Sequence, residues 1–222
     1  MIPIRDSVKS RTFPKINVAL IIINVIVFIY ELSLSQAGLQ QFVMQFGAIP
    51  ARIMATGGRV DSLLPLITAM FLHGGWLHLG GNMLFLWVFG DNVEDRLGSA
   101  RYLLFYLATG LAGFLAQMAA NPAASGPMIG ASGAIAGVLG AYVFLFPKSK
   151  VVTLLPIFFF FTFIEIPAII FLPLWFGLQL LNGVASIGAA GNAVAWWAHV
   201  GGFITGLVGA VMMRNRGMVR AK

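Results

Sequence analysis

Ser132 lies in Gly130-Ala131-Ser132-Gly133, which opens the apolar run 134–146. A hydroxyl in the first turn of a helix has free backbone N–H groups and the positive end of the dipole beside it, so an oxyanion forming there is stabilised. The glycines around it admit another backbone or a substrate. Alone, Gly-x-Ser-Gly fits close helix packing equally well. The decision rests on partners elsewhere in the chain. His199 sits in Ala198-His199-Val200-Gly201-Gly202-Phe203-Ile204-Thr205-Gly206, and Gly202, Gly206 and Ala210 share its helical face. The run after Ser132 offers Ala136 and Gly140 at steps of four, with Gly133 and Gly137 beside them. Two such faces approach until backbones nearly touch, which brings Ser132 Oγ within hydrogen-bond reach of an imidazole nitrogen. The alternative is that the glycines only pack helices and His199 is a satisfied polar residue.

His78 and Asn82 are four apart on one helical face, and His73 is expected nearly a turn and a half above His78 in the same apolar run. Polar groups in lipid are costly and face a cavity or a partner. With the Ser132 backbone N–H, the His78 and Asn82 side chains are candidate donors to a tetrahedral oxyanion, a role worth ~3 kcal/mol per donor. An acid orienting His199 would complete a triad. By span count, however, Asp6, Asp91, Glu94, Asp95 and Glu165 fall at the opposite face, and Glu31 and Asp61 in or near the first loop. A Ser-His dyad is therefore expected, with the neutral histidine acting first as general base and then as general acid. A metal site from His73, His78 and His199 lacks His-Glu-x-x-His and a carboxylate at that depth, and no metal or other cofactor is expected. A polar transport pathway would need paired ionisable residues at the midplane. Both leave Gly-x-Ser-Gly unexplained.

The elements that must position these residues lie in a bilayer. The 222 residues are 59% hydrophobic and 9% charged, with mean hydropathy +0.90, which excludes an ordinary soluble domain. With no cysteine, neither a disulfide framework nor a thiolate nucleophile is available. The net charge of +7 sits in short segments beside apolar runs, so topology and anionic headgroups explain it better than nucleic acid does. Strand alternation is absent, and an all-α bundle is expected. Residues 1–15 form a polar cytoplasmic segment, 16–213 the six-helix membrane domain and 214–222 a basic cytoplasmic tail. The spans fall at about 16–32, 64–89, 101–119, 134–146, 167–182 and 195–213. A cleaved signal peptide ending near Ser35-Gln36-Ala37 is the rival reading of the first. Residues 33–63 are read as a partly interfacial connection, 91–98 as a short charged turn and 151–166 as an apolar, partly extended connection. Six spans put both termini inside, and of 14 Lys and Arg only Arg52 and Arg59 then fall outside, as the positive-inside bias requires. Ser132 and His199 then share a shallow depth near the outer face.

The set His73, His78-x-x-x-Asn82, Gly130-Ala131-Ser132-Gly133 and Ala198-His199-x-Gly-Gly-x-x-x-Gly206 resembles the rhomboid intramembrane serine proteases, over nearly the whole chain. The resemblance implies a six-helix core that cleaves transmembrane substrates near the outer face, with Ser132 as nucleophile and His199 as base. His78, Asn82 and Ser132 would form the oxyanion hole, with Gly130, Gly133, Gly202 and Gly206 packing helices beside it. Glu94 and Arg96 match a charged pair that follows the second span in the family and is structural there. Some relatives carry a Tyr four residues after the serine, stacking beneath the histidine, where this chain has Ala136, and the first-loop Trp-Arg pair of some relatives has no counterpart. Neither departure removes a reacting group. The expected partners are transmembrane substrates and the bilayer, in a bacterial inner (plasma) membrane. Residues 183–194 are expected to form a movable cap, and the fifth span with Phe171 and Trp175 a lateral gate. The rival is a non-catalytic rhomboid-like protein that binds membrane helices.

Overall fold

The computed structural model describes residues 1–57, 60–157, 160–187 and 194–220. At its centre stands α7 (Ser132–Leu145), a helix of Gly, Ala and branched aliphatics with no polar face. Such a helix is buried on all sides, and nearly every residue from Gly133 to Leu145 is. Around it pack α5 (Trp76–Leu97), α6 (Ser99–Ala120) and α9 (Trp196–Asn215), with α1 (Lys15–Ser33) against α5 and α8 (Ala168–Ala185) against α9. Fourteen residues span about 21 Å, less than a bilayer core of about 30 Å. α7 is thus too short to cross by itself, and its N-terminus, beside Ser132, packs against α6 and α9.

Four described helices, α1, α6, α8 and α9, are long and apolar enough to cross a membrane. They follow the expected first, third, fifth and sixth spans to within three residues. The expected second span does not hold. Residues 64–89 are broken into the end of α4 (Val60–Thr68), a 3-10 turn Ala69–Phe71, a loop through His73, and α5. Tertiary hydrogen bonds satisfy the freed backbone there: Gly130 N–H donates to the Ala69 carbonyl at 2.8 Å, and His73 N–H donates to the Glu31 carboxylate at 3.2 Å. His73 is thus on a loop, not a turn and a half above His78 on one helix. The connection 33–63 contains two further helices, α2 (Gln36–Phe46) and α3 (Pro50–Ala55).

Residues 91–98 are not a turn. Asp91 to Leu97 continue α5, and Gly98, at φ 78°, ends it. Glu94 accepts from the Ile16 and Asn17 N–H groups at 3.1 and 2.8 Å, which caps the start of α1. Arg96 goes elsewhere, its guanidinium 5.5 Å above the Phe146 ring.

Nor is the chain all helix. β1 (Ile2–Asp6), β2 (Lys150–Ile157) and β3 (Phe160–Pro167) form an antiparallel sheet in that order, with Asp6 opposite Val151 and Lys150 opposite Pro167. The apolar connection expected over 151–166 is its hairpin. Branched and aromatic residues favour strand there, and Pro156 and Pro167 exclude continuous helix. The expected polar segment 1–15 supplies the third strand, so it belongs to the fold. Both ends of the chain meet at this end: Thr12 Oγ donates to Asp95 at 2.7 Å, and Arg220 N–H donates to the Arg96 carbonyl at 2.9 Å.

Candidate active site

The site is built at the other end of the bundle, where α7 and α9 begin. Glycine sets their separation. A Cβ on Gly202 would lie 2.0 Å from the Gly133 carbonyl oxygen, and one on Gly206 2.0 Å from that of Gly137. The two helices run in backbone contact, and no side chain fits at either position without moving them apart. α6 joins the same seam, with a Cβ on Gly113 only 2.6 Å from the Ala198 carbonyl oxygen. Ser132 and His199 each lie in the first turn of their helices and face each other across it. Ser132 Oγ is 2.8 Å from His199 Nε2.

His199 is buried and held from two further helices. Gln117 of α6 accepts from Trp197 N–H at 3.0 Å and so caps the start of α9. Gln179 of α8 places its Oε1 2.8 Å from His199 Nδ1. The Trp175 indole lies 5.9 Å from the imidazole and Trp196 meets it edge-on at 6.1 Å, so two tryptophans flank the ring. Sequence reasoning missed both glutamines. Their signal was an amide inside an apolar span, which in lipid must find a partner; nothing in the linear spacing says which one.

His78 and Asn82 come from the first two turns of α5. Gly74 N–H donates to His78 Nδ1 at 3.3 Å, so the neutral ring carries its proton on Nε2. That nitrogen points at Gly130, where a Cβ would lie 2.6 Å from it and 3.6 Å from Asn82 Nδ2. Gly130 also has φ 119°, which side-chain-bearing residues avoid, so glycine is required there twice over. Asn82 Nδ2 lies 2.9 Å from His73 Nε2 as well, which fixes the amide. Two side-chain N–H donors thus converge beside the open N-terminus of α7, next to Ser132. A cavity of about 10 Å³, room for about one water, borders Ser132 on the α6 side between Gly110, Phe114 and Ala198.

Glu31 was expected in or near the first loop, away from this depth. It is instead in the last turn of α1, only 2% exposed, with its carboxylate on the His73 backbone. Among the described residues the hydrogen bonds of the His199 ring go to Gln179 and Ser132, and no carboxylate joins them. Of the cap expected over 183–194, residues 188–193 lie outside the described residues and 183–185 form the end of α8.

The Rhomboid domain family model matches residues 60–216, a stretch that contains all of these side chains except Glu31. The chain belongs to the rhomboid family. Mitochondrial rhomboid protein 1 of Saccharomyces cerevisiae is 36% identical to it over 146 residues, 64% of this chain and 40% of that protein. Rhomboid protease GluP of Bacillus subtilis is 35% identical over 167 residues, 72% of this chain and 29% of its own. The human mitochondrial presenilin-associated rhomboid-like protein is 28% identical over 152 residues, 64% of this chain and 36% of that one. This rhomboid therefore matches well under half the length of each relative. With four membrane-length helices around a rhomboid domain, it is a multi-pass membrane protein.

Proposed function

We propose that this rhomboid is an intramembrane serine endopeptidase working through a Ser132-His199 dyad. The observation that carries the reading is the 2.8 Å contact between Ser132 Oγ and His199 Nε2, beside N–H donors on His78 and Asn82. As Oγ attacks a scissile carbonyl carbon, its proton passes to His199 Nε2 and the carbonyl electrons move onto oxygen. The resulting oxyanion accepts from His78 Nε2–H, Asn82 Nδ2–H and the Ser132 N–H. His199 then gives the proton to the leaving nitrogen, the C–N bond breaks and an acyl ester remains on Ser132. Water, deprotonated by His199, attacks that ester, and its collapse returns the proton to Oγ.

The substrate on this reading is a transmembrane helix of another protein. Helical carbonyls are engaged in hydrogen bonds, so the bond to be cut must unwind first, and small or helix-breaking residues near it lower that cost. The charge distribution supports six crossings with both termini in the cytoplasm and the site opening to the extracytoplasmic side of a bacterial inner membrane. The seam between α5 and α8, closed by Phe85 against Trp175 at 6.2 Å, is the lateral gate. A disulfide joining α5 to α8 that left cleavage at full rate would remove the gate from this scheme.

The test is cleavage of a single-span substrate co-reconstituted in vesicles. Wild type yields two fragments, while Ser132→Ala and His199→Ala yield none above background. Binding of the substrate without cleavage by wild type, unchanged in Ser132→Ala, is the outcome for a non-catalytic rhomboid-like binder and overturns the proposal.

A further inference from the structure

The Gln179 side chain makes two hydrogen bonds that together decide its orientation. Its Nε2 donates to the Trp175 carbonyl, one turn back on α8, at 3.2 Å. That commits the nitrogen and leaves Oε1, an acceptor only, facing His199 Nδ1 at 2.8 Å. The imidazole must then donate from Nδ1. A neutral ring has one N–H, so Nε2 is left with a lone pair, and that lone pair meets the Ser132 hydroxyl at 2.8 Å. Rotating the amide would set Oε1 against the Trp175 carbonyl, two acceptors facing each other, and turn a donor toward Nδ1.

We propose that Gln179 is the positioning residue for His199: its side-chain oxygen locks the imidazole in the tautomer whose Nε2 accepts the Ser132 proton. The inference rests on the dyad reading and gives that dyad a neutral third member, in the place the acid takes in a Ser-His-Asp triad. The substitution of an amide for an acid fits the surroundings. Gln179 and His199 are 7% and 8% exposed, on helices long and apolar enough to cross the bilayer. A carboxylate there would lose its hydration without a cation among its described neighbours, whereas an amide oxygen holds the same proton at no charge. Trp175 supplies the carbonyl that orients the amide and the ring that flanks the imidazole, so one turn of α8 fixes His199 both in plane and in rotation. The aromatic beside the ring on this side comes from α8.

The experiment compares full-length wild type, Ser132→Ala, Gln179→Leu and Gln179→Glu in lipid, with two readouts. The first is the rate of cleavage, resolved into kcat and KM. The second is 15N NMR of histidine-labelled protein, which reports which ring nitrogen of His199 carries the proton; with three histidines, single His73 and His78 variants assign the signals. A histidine forced into the wrong tautomer costs a serine protease about 10⁴-fold. Leucine only frees the ring, so kcat in Gln179→Leu falls about 10- to 100-fold with KM unchanged, and its His199 signals shift from one tautomer to a mixture. Glutamate keeps an acceptor and restores both the single tautomer and kcat to within about tenfold of wild type. An unchanged tautomer in Gln179→Leu overturns the proposal, as does Gln179→Leu cleaving at the wild-type kcat. Absence of cleavage in wild type would defeat the protease reading instead, and the NMR comparison would still decide whether Gln179 holds the ring. Should Gln179→Leu fail to fold, the near-isosteric Gln179→Glu carries the test: loss of the Nδ1–H tautomer there rejects the lock.

Discussion

The two ends of this bundle are held by different chemistry. At the end where the termini meet, carboxylates do the holding: Glu94 caps α1, Asp95 accepts from Thr12, and Asp6 accepts from Asn92 and from the Tyr142 hydroxyl. At the site end, the side chains around Ser132 and His199 are amides and imidazoles: Gln117, Gln179, Asn82 and His78. Glu31 is the exception, and it binds a loop backbone rather than a ring. Glu94, 2% exposed, is compensated for lost water by three donors, the Ile16 and Asn17 N–H groups and the Ser99 hydroxyl, while a carboxylate against a buried neutral imidazole would meet one N–H. Carboxylates hold the frame where several donors converge on them, and neutral groups hold it where the reacting groups meet.

The largest way to break this contrast is to open the seam on which the neutral end depends. Gly206→Val puts a Cβ 2.0 Å from the Gly137 carbonyl oxygen, against backbone that cannot step aside. A cost at or above the roughly 3 kcal/mol upper end of ordinary overpacking follows. Thermal unfolding in detergent should show a large drop in Tm, with cleavage lost. Next comes Asn82→Ala, which takes a donor from the oxyanion position and lowers kcat by about 10²–10³-fold. Its stability loss is smaller than its catalytic loss, and comparing kcat with Tm checks this.

Glu94→Gln sharpens the comparison from the other end. It weakens the cap on two α1 N–H groups and costs about 1–2 kcal/mol of stability, with kcat unchanged in the folded fraction. Asp6 gives a smaller effect with a definite sign. Burial, helped by Asp91 and opposed by the Tyr142 hydroxyl, raises its carboxyl from 3.8 to about 6. Between those values the folded chain keeps a proton that the unfolded chain has lost. Stability therefore falls as pH rises through that window and levels off above it. Asp6→Asn should flatten the fall, read as Tm against pH. The smallest effect belongs to Lys150 and Glu165, an exposed pair at 2.9 Å in which Lys150 holds the Glu165 carboxyl below its usual range. Lys150→Ala should leave Tm unchanged.

What was legible in the linear sequence follows the same division. The long apolar helices can be read because hydropathy is local, and the small faces after Ser132 and His199 because helical spacing is local too. The break before His78 was only half visible. Gly74-Gly75 marks it, but apolar residues run on both sides, and what makes the break tolerable is contact with Glu31 and Gly130, far away in sequence. The sheet was hidden for the same reason, since β1 meets β2 nearly 150 residues later, with Asp6 opposite Val151 and Ile2 opposite Leu154. Gln179 was invisible as a partner of His199 because α8 and α9 are joined by a long connection that fixes no register between them.

On the proposed mechanism His199 activates Ser132 within this neutral setting. A fluorophosphonate probe, which reacts only with an activated serine hydroxyl, tests it without any knowledge of the natural substrate. The adduct is located by mass spectrometry in folded protein. Wild type should be labelled at Ser132, and the label should be lost in Ser132→Ala and in His199→Ala. Folded wild type that stays unlabelled, or a label that persists in Ser132→Ala, would contradict that mechanism.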